Sequence, residues 1–174
     1  MALYTRRGDA GETDLVGGAR APKDALRVEV NGALDELIAD LGVARALCVD
    51  LPELGDRLLD LQHRLSALCG WVAQPGAPFP GDRLGDATRR TLEREIDAAD
   101  ALTGPLRDFV MPGATLLEAT LHRARTTCRR AERRAVTLLR EEESDPLMIA
   151  FLNRLSDWLF AQSRVVAMRR DKAP

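Results

Sequence analysis

The chain has 174 residues, 45% hydrophobic but only 4% aromatic, with a net charge of −2. That is enough for one domain with a core, and a composition led by Leu, Ala and Arg disfavours a β-sandwich or barrel, which would be richer in β-branched and aromatic residues. There is no global basic field of the kind a nucleic-acid binder carries, and no run approaches the roughly 18 apolar residues of a membrane span.

Residues 1–25 are Gly-rich, mixed in charge and without helical period. The opening MALYTRRGDAGETD carries acids and no apolar signal core, which predicts a cytoplasmic protein. Glycines beside Thr5, Arg6, Thr13 and Lys23 suit a backbone whose N–H groups converge on an anion, with hydroxyls and cations completing a phosphate cradle. The spacing G-x-x-x-x-G-K-[ST] is absent, so this is not a Walker loop.

Five segments with helical spacing follow. The first carries Val30, Leu34, Leu37, Leu41 and Ala44; the second runs from Leu54 through Leu58, Leu61, Leu65 and Leu68 to Val72. QPGAPFPGD separates the second from a more polar, less regular third segment between Leu84 and Leu102. MPGAT precedes the fourth, whose stripe includes Leu117, Leu121, Ala124, Cys128, Ala131, Ala135 and Leu138. SDP opens the fifth, where Ser144 or Asp145 caps, Pro146 suits the first turn, and Met148, Leu152, Leu155, Leu159 and Val166 repeat with Gln162 interrupting. The pattern predicts an all-α fold: a single five-helix bundle over 26–174 with up-and-down, ferritin-like packing, preceded by an irregular Gly-rich segment over 1–25. Cys48, Cys69 and Cys128 lack C-x-x-C spacing and sit among apolar residues, so they read as reduced core thiols.

The fourth segment holds six arginines within twelve residues, Arg123 to Arg134. On a wheel at about 100° per residue with Cys128 facing the core, Arg125 and Arg129 fall roughly 60° and 100° to one side, with Glu132 between them and the stripe. Arg123, Arg130 and Arg134 point outward, toward solvent or a neighbouring subunit, and read as a solvated face. The flanking pair borders a core whose other helices offer Asp35 after Leu34, and Asn153, Ser156 and Asp157 after Leu152. Two readings remain for it: a structural Asp–Arg ion pair, or guanidinium forks set to grip phosphate. His63 and His122 are the only histidines, and both read as surface or structural, although His122 shares the flank of Arg125. No Ser/His/Asp or Cys/His constellation is evident. Trp158 and Phe151 read as packing or interface residues.

YTRRGDAGETDLVGG, KDALRVEVNGALDEL, RTTCRRAERR and FLNRLSDWLF resemble, in order and spacing, the motifs of PduO-type ATP:cob(I)alamin adenosyltransferases, from about Leu3 to Arg164. The resemblance implies a homotrimer with active sites between subunits, in which the Gly-rich segment of one protomer wraps ATP against the arginine helix of the next. Carried over by motif, Thr5, Arg6, Gly8, Asp9, Gly11, Thr13 and Lys23 would surround the nucleotide. Arg129 would bind triphosphate, Glu132 would position the nucleotide with its Mg²⁺, Asn153 would contact the nucleotide, and Arg125 would pair with Asp35. Phe109 would stand at the corrin side, where it helps displace the lower ligand of cobalt, and Phe160 would line the corrin pocket. The substrates implied are ATP and cobalamin; the partners implied are a flavoprotein reductant and an adenosylcobalamin-dependent enzyme. The chain departs from the family pattern at Arg7, Ala10, Ile38 and Ala114. Rival readings are a non-catalytic cobalamin or nucleotide carrier of the same fold, and a helical interaction protein.

Overall fold

The structure, a computed structural model, describes residues 4, 6–142 and 144–170, the last of these by its backbone alone. Five long helices form the bundle: α1 (Leu26–Ala46), α2 (Pro52–Val72), α4 (Asp86–Thr103), α5 (Leu116–Glu141) and α6 (Leu147–Arg170), with a single turn, α3 (Gly81–Leu84), leading into α4. α1 packs between α2 and α5, and α6 packs between α5 and α4. Arg57 of α2 reaches Glu95 of α4 at 3.0 Å and joins the two ends of that row. The sequence neighbours α4 and α5 are therefore separated by α6, and the loop between them spans one end of the bundle.

The leucine stripes face inward as their spacing requires: Leu34, Leu37 and Leu41 of α1, Leu61 and Leu65 of α2, and Leu152, Leu155 and Leu159 of α6 are fully buried. Phe151 and Trp158 pack into this core, and Trp158 satisfies its indole N–H on Glu95 at 2.6 Å. α4 buries little beyond Thr88, Leu92 and Ala99. Its polar face is instead tied down by ion pairs, Arg154 with Glu93 at 3.1 Å and Arg164 with Asp100 at 2.7 Å.

Local chemistry sets the helix ends. Thr115 caps α5, its hydroxyl accepting from the Glu118 N–H at 3.0 Å. At α6 the cap is Asp145, which accepts from Leu147 N–H at 2.8 Å. Gly104, at φ 73°, ends α4 in a backbone state that side chains disfavour.

The N-terminal segment is more ordered than the irregular strap expected. β1 (Glu12–Asp14) pairs antiparallel with β2 (Arg20–Pro22), in register Thr13 opposite Ala21. Positive-φ glycines Gly17 and Gly18 turn the chain, and Arg20 clamps the hairpin by reaching Glu12 and Asp14 across it. Its tip is pinned to the end of α2 by Val16 N–H on Ala73 C=O at 3.0 Å. The hairpin is short and polar, so no hydrophobic alternation marked it in the sequence.

Cys48 and Cys128 are buried and unbridged, but Cys69 is only half-buried, at a seam rather than in the core. Burial, with the Asp35 carboxylate nearby, still pushes its thiol up to about 11. No described helix is long and apolar enough to cross a membrane.

Candidate active site

α5 lies between two helices, and five of its six clustered arginines flank one seam or the other, while Arg133 is exposed. Toward α1, Arg134 faces Glu29 at 3.5 Å, Arg130 bonds Glu36, and Arg123 bonds Asp40 at 2.7 Å. The carboxylates sit at spacings of seven and four along α1, and their arginines at four and seven along α5, the register of two antiparallel helices meeting edge to edge. Asp40 also accepts from Thr127 at 2.8 Å. The outer set is therefore not simply solvated, as expected: it is paired along α1, whose acids the sequence reading left unassigned.

Toward α6 the picture reverses. Among the described residues neither Arg125 nor Arg129 makes an ion pair, and the buried Nε of Arg125 has no hydrogen-bond partner. The Arg125 guanidinium stands over the Phe160 ring, 5.9 Å from its centroid. Two turns away, Asn153 of α6 donates to Glu132 of α5 at 3.0 Å. The buried Cys128 thiol beneath this stretch bonds Leu152 C=O at 3.2 Å. Its own pKa is pushed far up, chiefly by burial, while the nearby Arg129 opposes the shift and Glu132 and Asp157 add to it. Arg125 with Phe160, and Asn153 with Glu132, thus lie along one α5–α6 seam, and the exposed Arg129 stands close enough to act on Cys128 beneath it.

Other sequence-assigned residues lie elsewhere in the chain. Arg6 adopts φ 60° with its guanidinium over Tyr4, and Asp9 and Gly11 close successive turns onto Arg6 C=O and Gly8 C=O. Gly8 admits the Lys23 ammonium closely, since a Cβ there would lie 3.4 Å from Nζ. Lys23 N–H bonds Gly11 C=O at 2.8 Å, and Thr13 sits half-buried in β1. Thr5 lies outside the described residues. Lys23 lines a shallow pocket with Glu29, Glu36, Arg130 and Arg134, so this end of the strap lies on the paired seam of its own α5, while the hairpin tip is pinned to α2. Asp35 is exposed on α1 near Cys69, and within the chain it forms no pair with Arg125. Phe109 stands 90% exposed in the α4–α5 loop, with Met111 and Leu116 also exposed.

Two buried groups escaped the sequence reading. Glu118 and Ser163 are fully enclosed beside His122, although the T-x-x-E spacing of Thr115 and Glu118 was a visible capping signal. Among the described residues no cluster of three or more His, Cys, Asp or Glu could hold a metal ion.

The family model for cobalamin adenosyltransferase matches residues 3–166. The chain is 42% identical to the corrinoid adenosyltransferase of Bacillus subtilis (strain 168), covering 97% of this chain and 88% of that protein. It is 33% identical to the corrinoid adenosyltransferase MMAB of Homo sapiens, covering 96% of this chain and 69% of the human one. A variant PduO-type ATP:corrinoid adenosyltransferase from Lactobacillus reuteri, solved in complex with cobalamin and ATP, superposes with a TM-score of 0.91 at 32% identity, covering 99% of this chain and 94% of that one. The match extends over nearly the whole bundle and its N-terminal strap, and the chain belongs to the cobalamin adenosyltransferase family.

Proposed function

We propose that this chain is an ATP:cob(I)alamin adenosyltransferase that transfers the 5′-deoxyadenosyl group of ATP to reduced cobalamin and releases triphosphate. The observation that carries this is Arg125 and Arg129 on the α6 side of α5 without an acid of their own chain, the first with a buried unpartnered Nε, in a chain belonging to this family. The reaction is a displacement: the cobalt(I) electron pair attacks C5′, the cobalt–carbon bond forms, and the C5′–O bond breaks with its electrons leaving on triphosphate. No protein nucleophile is needed. The chain's part is to orient both substrates and to stabilise the departing charge.

Arg129 binds triphosphate oxygens, and its charge needs no tuning because a guanidinium stays protonated. Glu132, held by Asn153, positions the nucleotide together with its Mg²⁺. A metal ion arriving on the triphosphate would meet the Glu132 carboxylate, which Asn153 holds in place. Phe109, already exposed on its loop, and Phe160 form the apolar corrin side, excluding water and the lower axial ligand.

The site is completed between protomers of a homotrimer. The separation of the strap from the open arginine seam within one chain supports this, as does the separation of Asp35 from Arg125. Arg6, Gly8, Asp9, Gly11, Thr13 and Lys23, with Thr5, wrap the nucleotide on a neighbour's groove, and Asp35 pairs with a neighbour's Arg125. A flavoprotein reductant and an adenosylcobalamin-dependent acceptor are the corresponding partners, in the cytoplasm.

The test is to mix the protein with ATP, Mg²⁺ and chemically reduced cobalamin and follow the absorbance change as the cobalt–carbon bond forms. Equimolar triphosphate and adenosylcobalamin are expected. Nucleotide binding without transfer would make the protein a carrier, and neither would make it an interaction protein.

A further inference from the structure

Glu118, His122 and Ser163 form a polar cluster in the interior that the reaction above does not use. Glu118 is 1% exposed and His122 3% exposed. Glu118 Oε2 accepts from the Gly113 and Ala114 N–H groups at 2.8 and 3.0 Å, and Oε1 lies 3.0 Å from His122 Nε2. One buried carboxylate therefore ties the loop that carries Phe109 to a histidine on α5.

The tautomer of that histidine follows from its neighbours. Ser163 Oγ lies 3.2 Å from Nε2, but its proton is committed to Phe160 C=O at 2.7 Å, so it offers Nε2 only a lone pair. Both atoms facing Nε2 are acceptors, and Nε2 must carry the proton. Nδ1 is then a bare lone pair, and among the described residues nothing meets it. The buried Nε of Arg125, three residues along the same helix face, is a donor that nothing meets either. Both side chains touch Phe160: the imidazole edge-on at 5.8 Å between centroids, the guanidinium above the ring.

We propose that Glu118 and His122 are a positioning pair for Arg125: Glu118, anchored to the Phe109 loop, holds the Nε2–H tautomer, and His122 Nδ1 accepts the Arg125 Nε–H when triphosphate occupies the groove. Pinning Nε leaves the two terminal nitrogens of Arg125 as a fork for the triphosphate or the neighbouring Asp35. The pair also makes the arginine sensitive to the loop on the corrin side, because both hang on one carboxylate. This rests on reading Arg125 as part of the nucleotide site.

Protonation would undo the device, since His122 would lose its acceptor and place a second cation beside Arg125. The groups that act on it are Glu118 and Arg125 on its own helix. From α6 it meets the neutral Ser163 and Phe160, while Asp40 of α1 is engaged by Arg123 and Thr127, and Arg164 of α6 by Asp100. Burial first, then the Arg125 charge, hold His122 below the ordinary histidine range, against the pull of Glu118. The neutral, competent form thus persists into mildly acid solution and fails on the acid side.

The experiment measures kcat and KM for ATP against pH in the wild type, His122→Gln, Arg125→Ala and, as a control, the exposed His63→Gln, with imidazole ¹⁵N spectra of the wild type. Gln keeps the Nε2-like donor to Glu118 and Ser163 but lacks the Nδ1 acceptor and the titration. His122→Gln is expected to lower kcat/KM for ATP roughly tenfold, the value of one hydrogen bond to a charged group, and to abolish the acid limb seen in the wild type. His63→Gln should change nothing. With only two histidines the spectra assign readily, and His122 should show a bare Nδ1 that shifts when ATP binds. An acid limb that survives in His122→Gln, wild-type constants in that variant, or a protonated Nδ1 would overturn the proposal while a crippled Arg125→Ala left the nucleotide site intact. Wild-type transfer by Arg125→Ala would overturn both.

Discussion

The two seams of α5 carry the same side chain to opposite ends. Toward α1, Arg123, Arg130 and Arg134 each meet a carboxylate, and the seam is electrically closed within the chain. Toward α6, Arg125 meets the Phe160 ring, Asn153 bonds Glu132, and among the described residues neither Arg125 nor the exposed Arg129 forms an ion pair. A cation with a matched acid on the neighbouring helix is part of the packing. A partly buried cation without one, as Arg125 is, leaves a desolvated donor that an anion would satisfy. Arginine density along the sequence did not separate these cases; the partner helix did.

The contrast can be broken most directly at Arg129. Arg129→Ala should cut transfer on the order of 10²–10³-fold, as removal of one preorganised charge-stabilising donor does, with a thermal unfolding midpoint within a few degrees of wild type. Collapse of the fold in that variant would make Arg129 a structural residue. Asp35→Asn should have the next largest effect, about tenfold in kcat/KM, if it removes a charge-assisted bond to a neighbour's Arg125. Wild-type turnover would eliminate that pair. On the closed seam, Arg123→Gln should leave transfer within about twofold and lower unfolding stability by up to about 1 kcal/mol; a loss matching that of Arg129→Ala would erase the distinction between the seams. The smallest effect concerns Cys69. With its thiol pushed up to about 11 it should alkylate slowly at neutral pH and faster as the solution becomes more alkaline. Removing the neighbouring charge by Asp35→Asn should speed that reaction slightly, and an unchanged rate would mean that Asp35 is neutralised by a partner.

Much of the fold was legible because leucine at four-three spacing leaves few alternatives: the stripes of α1, α2, α5 and α6 fell on their buried faces as read. α4 was harder to read because ion pairs, not apolar contacts, hold it, and the hairpin was missed because cross-strand charge pairs leave no period-two signal. At the site, the wheel separated Arg125 and Arg129 from the outer arginines by angle alone. It could not show that Glu29, Glu36 and Asp40 would neutralise the outer set, since that depends on which helix lies alongside. The burial of Glu118 and Ser163 was hidden for a related reason, although T-x-x-E marked Glu118 as a helix-start residue. A buried polar residue looks like a surface one until its partners are known, and those partners came from a loop and from another helix.

The most direct test is calorimetric titration of ATP with Mg²⁺ into the wild type, the Arg125→Ala/Arg129→Ala double variant and the Arg123→Gln/Arg134→Gln double variant. The open-seam variant should show no measurable binding while remaining folded, and the closed-seam variant should bind within a few-fold of wild type. Retained affinity in the first, or its loss only in the second, would contradict the assignment of the α5–α6 groove as the seat of the triphosphate.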